Sequence, residues 1–184
     1  ADSGCVPFEV QLQNNSSINS GSITSFSFKW GDGSDPSLDS NHIYTRVGSY
    51  TIQVVGESDF GCKDSIDVMQ QITVLNNPTA DFNFNPTDPS TLTEFVTFKD
   101  SSKGNISDWN WEVSDGASYN GSKVYHPFAD SGTYAITLFV EDEFGCTHDT
   151  TKLVYVNADL LVYIPNSFTP NGDGLNDEFG LGGL

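Results

Sequence analysis

Short segments in which apolar and polar residues alternate recur along the chain and predict β-strands. Residues 25–30 and 109–113 place aromatic side chains at every second position, the period of a strand with one buried face. Residues 50–55 and 134–140 are rich in β-branched side chains and follow a glycine turn. The same reasoning predicts strands at residues 8–12, 72–75, 95–98 and 153–156. No stretch keeps a helical period, so the pattern predicts an all-β fold.

The order of motifs repeats once along the chain. His42 and His126 are each followed by an aromatic residue two positions later, and the offset between them is 126 − 42 = 84. The other matched features are Trp30-Gly31-Asp32-Gly33 with Val113-Ser114-Asp115-Gly116, Gly48-x-Tyr50 with Gly132-x-Tyr134, and Phe60-Gly61-Cys62 with Phe144-Gly145-Cys146. The repeat predicts two tandem modules of one fold.

The repeat and the composition between its copies set the predicted domain boundaries. The polar Asn76-Asn77-Pro78 segment separates the copies. We therefore expect β-sandwiches at residues 1–76 (module one) and 77–158 (module two), and a different segment at residues 159–184, where the repeat pattern stops.

The charge of the chain excludes several kinds of partner. Twenty-five acidic residues against seven basic ones give a formal net charge of −18. Such a surface repels nucleic-acid phosphates and anionic lipid, so no nucleic-acid partner is expected. It suits solubility outside the cell and attracts divalent cations. No apolar run approaches the roughly 18 residues of a membrane helix.

The three cysteines allow one internal bridge. Cys5 precedes the first strand of module one, and Cys62 lies at its last hairpin. Because the first and last strands of a sandwich can lie side by side, we expect a Cys5–Cys62 disulfide. Cys146 is then free or paired outside this chain. The rival pairing, Cys62 with Cys146, requires equivalent positions of separate modules to meet. No spacing typical of a zinc site is present.

The repeated turns offer two interpretations. Asp32 and Asp115 either cap backbone amides in a glycine turn or act as catalytic carboxylates. His42 and His126 are either packed against the turn aspartates or act as ligands or bases. A motif present once in each module favours scaffold over chemistry. The chain contains no zinc-protease, nucleophile-elbow or phosphate-loop motif, so no catalytic residue and no enzymatic activity are predicted.

The end of the sequence contains a candidate calcium loop. Asn171, Asp173 and Asp177 have the spacing of oxygen ligands at positions 3, 5 and 9 of such a loop, with Gly174 at the sharp turn. The two remaining ligand positions hold threonine and glycine instead of carboxylates. The alternative is a glycine-rich turn without metal, so calcium is an expected cofactor only under the first interpretation, and none is required.

The repeated motifs resemble the PKD domain family. An aromatic strand ending in Gly-Asp-Gly, then His-x-Tyr and Gly-x-Tyr, is typical of that family, and module one carries all three. Module two departs from it at Ser114 and at Pro127, which follows the histidine. The resemblance covers about residues 5–157 and implies Ig-like sandwiches of secreted or cell-surface proteins.

Residues 163–179 are similar to the opening of the C-terminal domain of gliding-motility-associated surface proteins of Bacteroidetes. That resemblance implies a type B sorting signal for the type IX secretion system, with outer-membrane secretion components as partners. Asp64-Ser65-Ile66 and Asp149-Thr150-Thr151 resemble the O-glycosylation sequon of the same phylum, which implies modification at Ser65 and Thr150. The alternative is that such triplets are common in this composition.

These observations lead to a non-enzymatic hypothesis. The modules would act as spacer or adhesive units of a secreted cell-surface adhesin or gliding-motility protein, with a glycan or protein ligand. The tail would direct export and attachment. The alternative is an accessory region of a secreted protease or polysaccharide-degrading enzyme whose catalytic domain lies upstream.

Overall fold

The computed structural model describes residues 3–68 and 71–159, and within them it contains strands and no helix. The all-β class predicted from the alternating pattern is confirmed. No segment of this described part is a helix long and apolar enough to cross a membrane.

Module one is a sandwich of short strands. β2 pairs with β4, β6 lies between β3 and β7, and β8 lies between β1 and β5. The pairing of β1 with β8 is parallel and places Cys5 beside Leu75. The strands are β1 (Ser3–Cys5), β2 (Phe8–Gln11), β3 (Ile23–Lys29), β4 (Asn41–Tyr44), β5 (Gly48–Tyr50), β6 (Gln53–Ser58), β7 (Lys63–Asp67) and β8 (Ile72–Leu75).

Module two repeats this plan with longer strands. One sheet has the order β13-β10-β9 and the other β12-β11-β14-β15. β14 and β15 form an unbroken antiparallel ladder from Gly132 opposite Val156 to Glu141 opposite Thr147. The strands are β9 (Phe82–Asn85), β10 (Val96–Asp100), β11 (Ile106–Val113), β12 (Ser118–Asn120), β13 (Lys123–His126), β14 (Gly132–Asp142) and β15 (Thr147–Val156).

Each module encloses its own apolar core, because alternate side chains of its strands point inward. The buried residues of module one are Val10, Phe28, Trp30, Tyr44, Ile52, Ile72 and Val74. Those of module two are Ala80, Phe82, Val96, Phe98, Trp111, Val113, Val124, Phe128, Ile136, Leu138, Val140, Val154 and Val156. The two separate clusters agree with the two units that the repeat predicts.

The sequence prediction misses several of the described strands. β7 is exposed along its whole length and contains one apolar residue, Ile66, so no alternation marks it. β9 does alternate, with Phe82 buried and Phe84 packed against the core, but it is not among the strands predicted from the sequence. β12 and β13 are short strands separated by Gly121 and Ser122, which break the period.

Candidate functional site: the repeated turn and the module junction

The Gly-Asp-Gly turn of module one is closed by its aspartate. The Ser34 amide donates to Asp32 Oδ1 over 3.0 Å, and the Ser34 hydroxyl donates to the same oxygen over 2.6 Å. Gly31 and Gly33 adopt φ values of 81° and 86°, which glycine tolerates best. A Cβ on Gly31 would lie 2.5 Å from the Thr51 carbonyl oxygen. The turn therefore depends on glycine for both conformation and space.

His42 connects this turn to the aromatic core. Its Nε2 lies 2.8 Å from Asp32 Oδ2, the contact expected for a histidine packed against the turn aspartate. Its ring stacks on Trp30 at 4.8 Å and meets the edge of Tyr44 at 4.7 Å. The Tyr44 hydroxyl donates to the Trp30 carbonyl over 2.8 Å. Histidine and aspartate thus brace the turn against the core.

The surroundings of Asp32 and Tyr44 keep each of these groups in a single protonation state near neutral pH. Burial raises the pKa of Asp32, but hydrogen bonds from the Ser34 hydroxyl and amide and from His42 outweigh it and lower the pKa to about 2. Burial, with the charge of Asp32 and the neighbouring Tyr50, raises the pKa of Tyr44 to about 12. A general acid or base works best with a pKa near the working pH, so neither group suits that role.

Module two builds the turn with a different first residue. The Ala117 amide donates to Asp115 Oδ1 over 3.0 Å, as Ser34 does to its aspartate. Ser114 replaces the first glycine, and its hydroxyl accepts a hydrogen bond from the Ala135 amide at 3.1 Å. Ser114 therefore adds a side-chain hydrogen bond to the backbone hydrogen bond that its amide donates to the Ala135 carbonyl over 3.0 Å.

The second histidine is more deeply enclosed than the first. The His126 side chain is 4% exposed, against 17% for His42. Its Nε2 lies 2.9 Å from Asp115 Oδ2 without the alignment of a hydrogen bond. Its Nδ1 lies 2.8 Å from the Tyr119 hydroxyl. Sequence reasoning did not identify Tyr119, which lies on the short strand β12.

The order of contacts at the turn does not match that of a hydrolase relay. A Ser-His-Asp triad requires the hydroxyl to contact the imidazole. Here the Ser34 hydroxyl contacts the carboxylate of Asp32, and His42 contacts the other carboxylate oxygen. Module two has Ala117 where module one has Ser34. Neither copy of the repeated turn therefore has the contacts of a Ser-His-Asp triad.

The described part of the chain contains no candidate metal-binding cluster. Residues 3–68 and 71–159 contain no group of three His, Cys, Asp or Glu side chains that could hold an ion. The predicted calcium ligands Asn171, Asp173 and Asp177 lie outside the described residues, so calcium binding there stays a prediction.

The disulfide lies between the modules, and the predicted Cys5–Cys62 bridge is wrong. Cys5 bonds Cys146 of module two with Cα atoms 5.5 Å apart, and Cys62 is free and exposed. The physical reason is the pairing of β1 with β8, which carries Cys5 to the end where module one leads into module two. Cys62 lies in the β6–β7 hairpin at the opposite end. The rival pairing of Cys62 with Cys146 does not form either.

The linker between the modules has side-chain contacts on both sides. The Asn77 side-chain amide donates to the Val6 carbonyl over 2.9 Å. The Ala80 amide donates to His148 Nδ1 over 3.1 Å. Together with the disulfide, these contacts connect the N-terminal segment of module one, the linker and the β14–β15 hairpin of module two.

The two predicted glycosylation sites lie on equivalent strands. Ser65 is exposed on β7, and Thr150 is half-buried on β15. Both strands lie at the edge of their sheets, and every residue of β7 is exposed. Modification of either residue stays a prediction.

Solved structures similar to this chain include isolated PKD domains. The PKD1 domain of the Vibrio cholerae metalloprotease PrtV has 21% identity, covers 44% of this chain and 98% of its own, and gives a TM-score of 0.39. The PKD1 domain of Vibrio anguillarum Epp has 22% identity, covers 45% and 96%, and gives 0.40. A structure described among carbohydrate-binding modules of the β-sandwich superfamily has 30% identity, covers 45% and 35%, and gives 0.42.

Family models match both halves of the chain. One PKD domain model covers residues 4–68 and a second covers residues 75–157. These ranges contain the two apolar cores and both copies of the braced turn. PKD domains are non-catalytic modules typical of secreted or surface proteins, including accessory regions of proteases. The chain therefore contains two tandem domains of the PKD family.

Proposed function

We propose that the two PKD domains form a disulfide-braced, non-catalytic spacer in an exported surface protein. The observation that carries the proposal is the Cys5–Cys146 bond across the junction. A peptide linker alone leaves two domains free to reorient, whereas a second covalent connection restricts rotation about the linker. Disulfides persist in oxidising compartments, which supports a location outside the cytoplasm. The net charge of −18 agrees with an extracellular surface.

The spacer proposal is tested by removing the bridge. In the Cys5→Ser/Cys146→Ser variant of the full chain, we expect a broader distribution of interdomain distances in small-angle X-ray scattering. Cys62→Ser is the matched control, because it removes a thiol and leaves the bridge intact. Scattering profiles that coincide for all three proteins would overturn the proposal that the bond fixes the junction.

An adhesive role is the finer part of this proposal. Phe139, Leu153 and Tyr155 present exposed apolar side chains on β14 and β15. Aromatic and aliphatic groups on a sheet face can contact the apolar faces of sugars or a protein surface. Such contacts would suit an adhesin or gliding-motility protein. We expect the chain to bind on a glycan array and the Leu153→Ser/Tyr155→Ser variant to lose that binding. The thermal unfolding transition of the variant should be unchanged. If the chain bound neither glycans nor surface proteins, the proposed adhesive role would be wrong.

The role of residues 159–184 is proposed from sequence motifs. The similarity of residues 163–179 to a type B sorting signal supports engagement of type IX secretion components at the outer membrane. Deletion of residues 159–184 from the native protein is expected to abolish its appearance at the cell surface. Replacement by a scrambled tail of equal composition is the control. Normal surface display of either variant would contradict the sorting role.

An accessory region of a secreted hydrolase would use the same spacer. In that case the catalytic domain lies on the N-terminal side of residue 1. Further PKD repeats there would favour the adhesin, whereas a zinc-ligand motif or a paired-carboxylate motif would favour the hydrolase.

A further inference from the structure

Cys62 and Cys146 occupy the same position in two copies of one hairpin. The β6–β7 and β14–β15 turns share the sequence Phe-Gly-Cys. Gly61 and Gly145 adopt φ values of 74° and 83°. Each glycine amide donates to the residue that ends the preceding strand, over 2.9 Å to the Ser58 carbonyl and 3.1 Å to that of Asp142.

The cysteine amides are also held alike. The Cys62 amide donates to Ser58 Oγ over 3.1 Å, and the Cys146 amide donates to Asp142 Oδ1 over 2.9 Å. The β6–β7 and β14–β15 hairpins therefore hold their cysteines with the same backbone geometry. Because Cys146 forms an interdomain disulfide from this geometry, Cys62 has the geometry for the same kind of bond.

Cys146 and Cys62 differ in how far they are covered by the rest of the protein. Cys146 is completely buried and bonded to the module that precedes it in the chain. Cys62 is exposed and lines a groove of about 420 Å³ with Ile18, Phe26 and Ile66. Within the described residues, this end of module one has no covering domain.

The partner cysteine has a defined place in the fold. Cys5 lies on the parallel pairing of β1 with the last strand of its module, beside Leu75. The corresponding parallel bridge in module two joins Ser90 to Asn157. Module two thus presents a serine where module one presents the bonding thiol. The disulfide at the junction therefore joins a cysteine beside the last strand of one module to a hairpin cysteine of the next module.

We propose that Cys62 is the attachment site for a further module of the same fold on the N-terminal side of module one. The cysteine of that module would occupy the position that Cys5 has in module one. Two thiols would lose two protons and two electrons to a disulfide-bearing oxidoreductase of the compartment in which the protein folds. If linker lengths are equal, the partner cysteine lies about 141 residues before Cys62, the separation of Cys5 and Cys146.

The proposal rests on the Cys5–Cys146 bond acting as a junction brace, and one experiment tests the two separately. The native full-length protein is denatured without reductant, alkylated with iodoacetamide, digested with trypsin and mapped by mass spectrometry. Arg46, Lys63, Lys123 and Lys152 are cleavage sites that place the three cysteines on different peptides. The Cys5–Cys146 cross-link is the internal control, and its absence would overturn the junction brace itself.

With the control cross-link present, the fate of Cys62 decides the inference. We expect its peptide joined to a cysteine peptide from outside residues 1–184. An alkylated Cys62, or a cross-link between Cys62 residues of two copies, would overturn the proposal while leaving the brace intact. In the Cys62→Ser variant, the external cysteine should become alkylated stoichiometrically while the Cys5–Cys146 cross-link is unchanged.

Discussion

Module two and module one build one fold from different proportions of apolar and polar contacts. Among the described residues, thirteen buried apolar side chains form the core of module two and seven form that of module one. The β14–β15 ladder of module two is continuous, whereas the corresponding pairing in module one is divided between β6–β7 and β5–β8. The comparison teaches that the histidine lies against the turn aspartate in both modules, whatever the size of the core behind it.

The aromatic contacts around the turn extend one ring further in module one than in module two. Trp30, His42, Tyr44 and Tyr50 form a continuous series of ring contacts, with centroids 4.5 to 4.8 Å apart. In module two, the rings of His126, Phe128 and Tyr134 form the equivalent series, with centroids 4.5 Å apart. Val113 replaces Trp30 there, so the stacking of an indole on the histidine belongs to module one.

The largest expected difference between the modules follows from truncating one matched isoleucine in each. Ile52 and Ile136 are equivalent and fully buried. Ile52→Ala and Ile136→Ala should each reduce the free energy of unfolding of their module by about 2–5 kcal/mol. The loss should unfold a larger fraction of module one, because its core is smaller. Hydrogen exchange measured by mass spectrometry resolves the two modules and checks this.

The Ile52→Ala and Ile136→Ala variants also act as controls for each other. In each variant, exchange should accelerate mainly in the module that carries the substitution. Equal fractional unfolding of the two modules would show that core size does not determine their relative stability.

A smaller effect is expected at the first residue of the turn. Gly31→Ala adds a Cβ at a φ of 81° and within 2.5 Å of the Thr51 carbonyl oxygen, so we expect a loss of about 1–3 kcal/mol. Ser114→Ala in module two removes only the hydrogen bond to the Ala135 amide, which costs about 1 kcal/mol. Urea denaturation of both variants measures the difference. A greater loss for Ser114→Ala would contradict the account of the turn.

The smallest expected effect is the acid dependence that Asp32 contributes to the stability of module one. The folded-state pKa of Asp32 is about 2, below the ordinary value of 3.8. The stabilisation is therefore complete above about pH 4 and is lost as the pH falls towards 2. It amounts to at most about 2 kcal/mol. Asp32→Asn should remove this part of the pH dependence, as measured by urea denaturation at pH 5 and pH 2.5.

Exposed Asp108 on β11 provides the charge control for that measurement. Asp108→Asn removes one negative charge without touching the turn. If it flattened the pH dependence as much as Asp32→Asn, general charge repulsion would explain the acid sensitivity.

The fold could be predicted because its signals are local. Aromatic residues at every second position mark β3 and β11, and the offset of 84 between equivalent histidines marks the repeat. The contact of His42 with Asp32 was also predictable, because both belong to one short motif. β7 could not be predicted, since a fully exposed strand has no apolar alternation.

The disulfide could not be predicted because its partners belong to different modules. The prediction assumed that the first and last strands of one sandwich bring Cys5 and Cys62 together. Instead, β1 pairs in parallel with β8 and presents Cys5 to the neighbouring module. A repeat gives the structure of each module, but the contacts between modules depend on the linker and on surfaces that the repeat does not describe.

The bond between Cys5 and Cys146 also determines how a stretching force would pass through the chain. A pull applied at Ser3 and Asn157 enters Cys5, crosses to Cys146 and continues into β15, so the chain between the cysteines carries no load. That segment has a sequence separation of 141 and would otherwise release roughly 480 Å when extended. Under tension the module pair would therefore behave as a short, nearly inextensible link.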